Sequence, residues 1–212
     1  MICVSVDAVD YDFCESILRK HQLIEFRLER TSMSLSEIKE LFAMPNRMIA
    51  VCRPGRFDET KKLKLLSTAM DAGAMFVDIE YESSKELIDE IKTLSKKSNS
   101  KLIISYHNYE STPSIEELTN IINECFLLGA DIVKIACKSN SETDNITLLS
   151  LYSKVESGKL ISLGMGNIGK ITRLAAPSLG APFTYASLEK DMETAPGQID
   201  LVSMKKIYDL MK

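Results

Sequence analysis

Short apolar runs alternate with longer segments of helical periodicity eight times along the chain, and this alternation limits the fold more than any other feature of the sequence. Met1–Asp7 reads as a strand that begins at once. Further strand-like runs are Leu23–Leu28, Arg47–Cys52, Met75–Ile79, Lys101–Tyr106, Asp131–Ala136, Leu160–Leu163 and Ala181–Tyr185. Between them, apolar residues recur at helical spacing, as in Leu35, Ile38, Leu41 and Phe42, or Leu87, Ile88, Ile91 and Leu94. Ser34 with Glu37, Ser83 with Glu86, and Ser114 with Glu117 have the spacing of capping boxes. Asn167–Ala176 and Ile199–Met211 read as the last two helices. Strands separated by helices pair in parallel through right-handed crossovers. Eight such units in 212 residues fit a closed (β/α)8 TIM barrel better than an open doubly wound sheet. With no linker-like or low-complexity stretch, residues 1–212 are expected to form a single domain.

Composition narrows the partners. The net charge of −4 and the pI near 5.4 argue against nucleic acid, because phosphate binding needs a basic surface. The chain has five cysteines and no C-x-x-C pair. Cys3, Cys52, Cys125 and Cys137 lie in apolar runs and read as buried free thiols, which suits a reducing cytoplasm. The first apolar run is too brief for a signal peptide or a membrane span.

Several residues stand out chemically. Lys134 lies in Ala130-Asp131-Ile132-Val133-Lys134-Ile135-Ala136, where strand alternation places it on one face with Ile132 and Ala136. Inside a dry barrel, burial would lower its pKa towards the neutral amine that imine formation needs. By periodicity alone, a lysine at the strand end that reaches solvent or pairs with a carboxylate is the commoner outcome. His107 follows Ser105-Tyr106 at the C-terminal end of the fifth strand, the end at which active sites of this fold lie. Glu25, Arg27 and Glu29 share a face of the second strand, and Arg53, Asp78 and Glu80 extend the same polar patch. Gly164-Met165-Gly166-Asn167-Ile168-Gly169 matches G-x-G-x-x-G, a weak signal by itself. Only residues 170–212 follow it, too few for a dinucleotide domain. A glycine-rich turn that brings Arg173 to an anion explains it better.

Taken in order, Glu25-Phe26-Arg27, Ser105 to Pro113, Gly129 to Ala136, Gly164 to Arg173, and Ala195-Pro196-Gly197-Gln198 resemble the motifs of the type I (class I) 3-dehydroquinate dehydratases. The resemblance implies that Lys134 condenses with the C3 ketone of 3-dehydroquinate to form a Schiff base. It implies that His107 assists imine formation, removes a C2 proton and protonates the departing C1 hydroxyl in a syn elimination giving 3-dehydroshikimate. Arg173 would clamp the carboxylate, for which a guanidinium fork suits. Glu25, Arg27, Arg53 and Gln198 would hold hydroxyls, joined by Ser5 on the first strand. Thr194 replaces the family's serine and keeps its hydroxyl. No metal or soluble cofactor is implied. A cytoplasmic homodimer serving the shikimate pathway is.

One departure concerns the family's glutamate that orients the catalytic histidine. Phe57 stands at its spacing in Arg53-Pro54-Gly55-Arg56-Phe57-Asp58-Glu59. Asp58, Glu59 or Glu80 takes over that role, or it is vacant. Two other readings compete: a class I aldolase-like barrel that also uses Lys134, and a degenerate barrel that binds a shikimate-like ligand without turnover.

Overall fold

The computed structural model describes residues 1–211. Its strands are β1 (Ile2–Asp7), β2 (Leu23–Arg27), β3 (Arg47–Val51), β4 (Phe76–Glu80), β5 (Lys101–Asn108), β6 (Ile132–Lys138), β7 (Leu160–Met165) and β8 (Thr184–Ser187). They form one parallel 8-stranded sheet in the order β7-β6-β5-β4-β3-β2-β1-β8. An open doubly wound sheet reverses its order at a switch point; here the order is cyclic, with β8 beside β1. The eight helices are α1 (Tyr11–Leu18), α2 (Leu35–Phe42), α3 (Glu59–Ala72), α4 (Lys85–Ser98), α5 (Ile115–Leu128), α6 (Glu142–Ser150), α7 (Gly166–Ala175) and α8 (Leu201–Leu210). Each follows the strand of the same number, as the expected (β/α)8 barrel requires.

Local chemistry sets the boundaries. Ser34 and Ser114 form the expected capping boxes with Glu37 and Glu117. The start of α4 differs by one residue: Ser84, not Ser83, caps it. Glu59 fixes this choice by accepting from the Ser84 backbone N–H at 3.0 Å and its hydroxyl at 2.6 Å. The last strand starts at Thr184 rather than Ala181, because Pro182 has no N–H to give a ladder. The second strand stops at Arg27, and Leu28–Arg30 turns into a 3₁₀ helix.

Contacts between strands far apart in the ring identify the side chains that point inward. Phe76 on β4 meets Phe183, just before β8, edge to face at 5.5 Å. Lys134 on β6 reaches Glu25 on β2 at 3.3 Å. Three strands lie between the members of each pair, so both contacts cross the barrel interior. The apolar contact and the charged one divide that interior into a dry part and a polar one. All five cysteines are buried and free.

The glycine-rich segment has a packing explanation. Gly166 opens α7 at φ +83°, and its N–H donates to the Pro196 carbonyl at 3.1 Å. A Cβ on Gly197 (φ +76°) would lie 2.2 Å from the Gly166 carbonyl oxygen, and one on Gly169 2.4 Å from the Gly164 carbonyl carbon. Bare backbone is therefore needed where the start of α7 meets the 195–198 turn. Gly197→Ala should lower stability by roughly 2 kcal/mol or more through strain and overlap, and should weaken ligand binding by moving Gln198. Thermal melting and KM measured on the same preparation check both effects.

Candidate active site

Lys134 leaves the middle of β6 and is 6% exposed. Its Nζ lies 3.3 Å from Glu25 Oε2 and 3.3 Å from Asp78 Oδ2. It also stands 4.2 Å from the centroid of the Tyr185 ring. The lysine is thus both inside the barrel and paired with carboxylates, combining two outcomes that the sequence offered as rivals. Burial raises the Glu25 carboxyl pKa, but Lys134, Arg53 and the Ser5 hydroxyl outweigh it, and the net shift is downward.

Asp78 is fully buried. Its Oδ1 accepts from Ser105 Oγ at 2.6 Å and Arg53 Nη1 at 3.1 Å, and its Oδ2 from Arg53 Nη2 at 2.8 Å. Arg53 also donates to Glu80 Oε1 at 2.6 Å and Ser105 Oγ at 2.8 Å. Glu80 in turn accepts from the buried Lys62 of α3 at 3.0 Å. From Lys62 through Glu80, Arg53 and Asp78 to Lys134 and Glu25, cation and anion alternate without a break. Such a chain repays the desolvation of its members only because each has an opposite charge in reach.

A second set of contacts closes the site from the β8–α8 side. Ser5 donates to Glu25 Oε1 at 2.6 Å and shares a hydrogen bond with Thr194 Oγ1 at 2.7 Å. Gln198 Nε2 donates to Thr194 Oγ1 at 3.1 Å, and Gln198 Oε1 accepts from the Thr194 N–H at 2.8 Å. Arg27 donates to the Thr194 carbonyl and to Glu29 Oε1, the latter at 2.7 Å. Glu25, Arg27, Arg53, His107, Lys134, Arg173, Thr194 and Gln198 all line one cavity of about 40 Å³. Ser5 stands behind it, holding Glu25 and Thr194. A polar cleft of about 600 Å³ between Asp7, Arg30 and Arg56 shares Arg27 and Arg53 with that cavity.

Arg173 and His107 are among the wall residues that lack the partners their chemistry calls for. Arg173 is 2% exposed, and among the described residues it has no ion pair and its Nε no hydrogen-bond partner. Burial pushes its pKa down to about 10. His107 is half-buried, with Nδ1 shut off from solvent and unpartnered among the described residues. Burial, and then Arg53 and Lys134, hold its pKa well below the usual histidine range against the opposing pull of Asp78. None of the three carboxylates considered for orienting it does so. Asp58 caps α3, Glu59 binds Ser84, and Glu80 is held by Arg53 and Lys62. Phe57 packs on the core with the Arg56 guanidinium 5.0 Å from its ring centroid.

A family model for type I 3-dehydroquinase matches residues 2–212. The chain belongs to the type I 3-dehydroquinase family. A relative from Methanocaldococcus jannaschii, named 3-dehydroquinate dehydratase, is 36% identical over 225 residues, covering 100% of this chain and 99% of the relative. The crystal structure of the 3-dehydroquinate dehydratase from Aquifex aeolicus is 32% identical, with a TM-score of 0.83 over 99% of this chain and 98% of that one. A deoxyribose phosphate aldolase from Aeropyrum pernix, 17% identical with a TM-score of 0.62 over 87% of this chain and 84% of that one, shares the barrel fold.

Sequence reading brought the polar residues of this cavity together, but it missed Tyr185. As an aromatic residue on a short strand, it carried no signal beyond core packing. The low pKa of His107 has a kinetic consequence, because imidazole is the form that accepts a proton. The acid limb of kcat/KM should fall below pH about 6.5, the ordinary histidine value. A pH–rate profile whose acid limb lies above that value would count against this reading.

Proposed function

We propose that this dehydroquinase removes water from 3-dehydroquinate through an imine on Lys134, giving 3-dehydroshikimate. The observation that carries the proposal is a buried primary amine in the same small cavity as a buried guanidinium that has no ion pair among the described residues. Together they match a ligand that has both a ketone and a carboxylate.

In this reading Arg173 takes the carboxylate, and the Lys134 ammonium passes a proton to His107; the freed amine attacks the C3 ketone, and the imidazolium returns the proton to the carbinolamine hydroxyl, which leaves as water. Glu25 and Asp78, 3.3 Å from Nζ, stabilise the iminium once formed. His107, neutral in the free protein, assists imine formation and removes the C2 proton. The electron pair moves into the iminium and then expels the C1 hydroxyl, which the same histidine protonates. Water then releases the product from Lys134. Thr194, Gln198, Arg27 and Glu25 face the ring hydroxyls. Arg53 already serves two carboxylates and Ser105, so its main work is to hold Asp78 and Glu80 in place. The adjoining polar cleft of about 600 Å³, which shares Arg27 and Arg53 with the cavity, gives the ligand a way in.

Borohydride reduction in the presence of 3-dehydroquinate should fix a stable adduct on Lys134, located by peptide mass spectrometry. Binding without an adduct would sink the proposal and favour a barrel that binds without turnover; aldol substrates serve as the control for aldolase chemistry. Lys134→Ala should abolish turnover. His107→Ala should lower kcat by about 10²–10⁴-fold, the usual share of a general acid–base residue, while binding is largely kept.

We further propose that the protein acts in the cytoplasm, in the shikimate pathway, as a homodimer. Among the described residues no helix is long and apolar enough to cross a membrane. Ile146 on α6 and Ile168 and Ile171 on the neighbouring α7 are exposed, a concentration of apolar surface that a second copy would cover. Light scattering that gives the mass of one chain would exclude the dimer.

A further inference from the structure

We propose that the Tyr185 hydroxyl is a substrate-binding group that shares the ligand carboxylate with Arg173. The inference rests on the ketone- and carboxylate-bearing ligand proposed above. Tyr185 lies on β8 opposite Cys3 of β1. Its ring is held between Phe183, with centroids 5.5 Å apart, and the Lys134 ammonium, 4.2 Å from the ring centroid. The residue is 2% exposed, and its hydroxyl has no hydrogen-bond partner among the described residues.

A phenylalanine would fill the same space and make the same ring contacts without leaving a polar atom unsatisfied. A buried hydroxyl that satisfies nothing in the free protein is destabilising, so its retention has to be explained by what enters the cavity. Arg173 Nε is a further unsatisfied donor in that wall, and His107 Nδ1 is also without a partner among the described residues. The Tyr185 and Arg173 side chains both line the same small cavity. Two unpaired donors facing one cavity suit the two oxygens of a carboxylate better than a single hydroxyl. Burial, with Glu25 and Cys3 nearby, keeps the phenol protonated well beyond its ordinary range, so it is a donor at every working pH. The aromatic and cationic contacts already described hold the ring, and with it the oxygen, in place.

Tyr185→Phe tests this by removing one oxygen. KM for 3-dehydroquinate should rise about tenfold, the usual worth of one hydrogen bond to a charged group. For the methyl ester of 3-dehydroquinate, which lacks the anion, the two proteins should not differ in KM. The melting temperature of the free variant should stay the same or rise, since no internal bond is lost. An unchanged KM for the acid, an equal loss with the ester, or a lower melting temperature would overturn the assignment. Borohydride labelling of Lys134 at saturating substrate should persist in the variant. If instead the unsubstituted protein gives no adduct, the imine reading fails, and that result does not depend on residue 185.

Discussion

Asp78 is fully buried, and four donors converge on its two oxygens. A carboxylate in that position cannot be left to solvent, so Arg53, Ser105 and Lys134 must be where they are. Those three come from the end of β3, from β5 and from β6, which makes one side chain the common reference for three neighbouring segments of the ring. Removing one member of a buried pair costs on the order of 3–5 kcal/mol, because the other charge is then stranded. The site therefore tolerates conservative loss of charge poorly, even at positions that never touch a ligand.

The treatment of the cations differs in an informative way. Lys62, Arg53 and Lys134 are each matched by carboxylates within the protein, whereas Arg173 is not matched at all among the described residues. The first three hold geometry, and their electrostatic needs are met before any ligand arrives. The last keeps its need open, which is how a buried guanidinium becomes a receptor rather than a structural strut. Preorganised charge of this kind needs no rearrangement at the moment of reaction.

The barrel was legible because its cause is repetitive: eight apolar runs, each followed by a helical stripe, leave few other ways to bury the chain. Errors fell where a local contact outweighs the pattern. Glu59 selected Ser84 over Ser83 as a cap, and Pro182 delayed the last strand. The polar residues of the site were legible through strand alternation and ordered motifs. The partners of each were not, since Lys134 and Glu25 are 109 residues apart, and nothing local pairs them. Tyr185 stayed hidden because an orphaned hydroxyl becomes visible only when all its surroundings are known. The vacancy beside His107 was foreseeable from Phe57, but the commitment of Asp58, Glu59 and Glu80 to other partners was not.

The path of the charge chain also bears on how the ring is put together. Its carboxylates, Glu25, Asp78 and Glu80, belong to β2 and β4, and thus to the first half of the chain. Lys134 and Arg173, on β6 and α7, belong to the second. Apart from its partner, the early half holds an excess of buried anions, and the late half has buried cations with no carboxylate from this chain of ion pairs. Neither half can close its interior on its own without exposing or stranding charge. The same pairing that holds Lys134 in the cavity therefore makes the two half-barrels electrostatic complements, joined across the interior as well as at their edges.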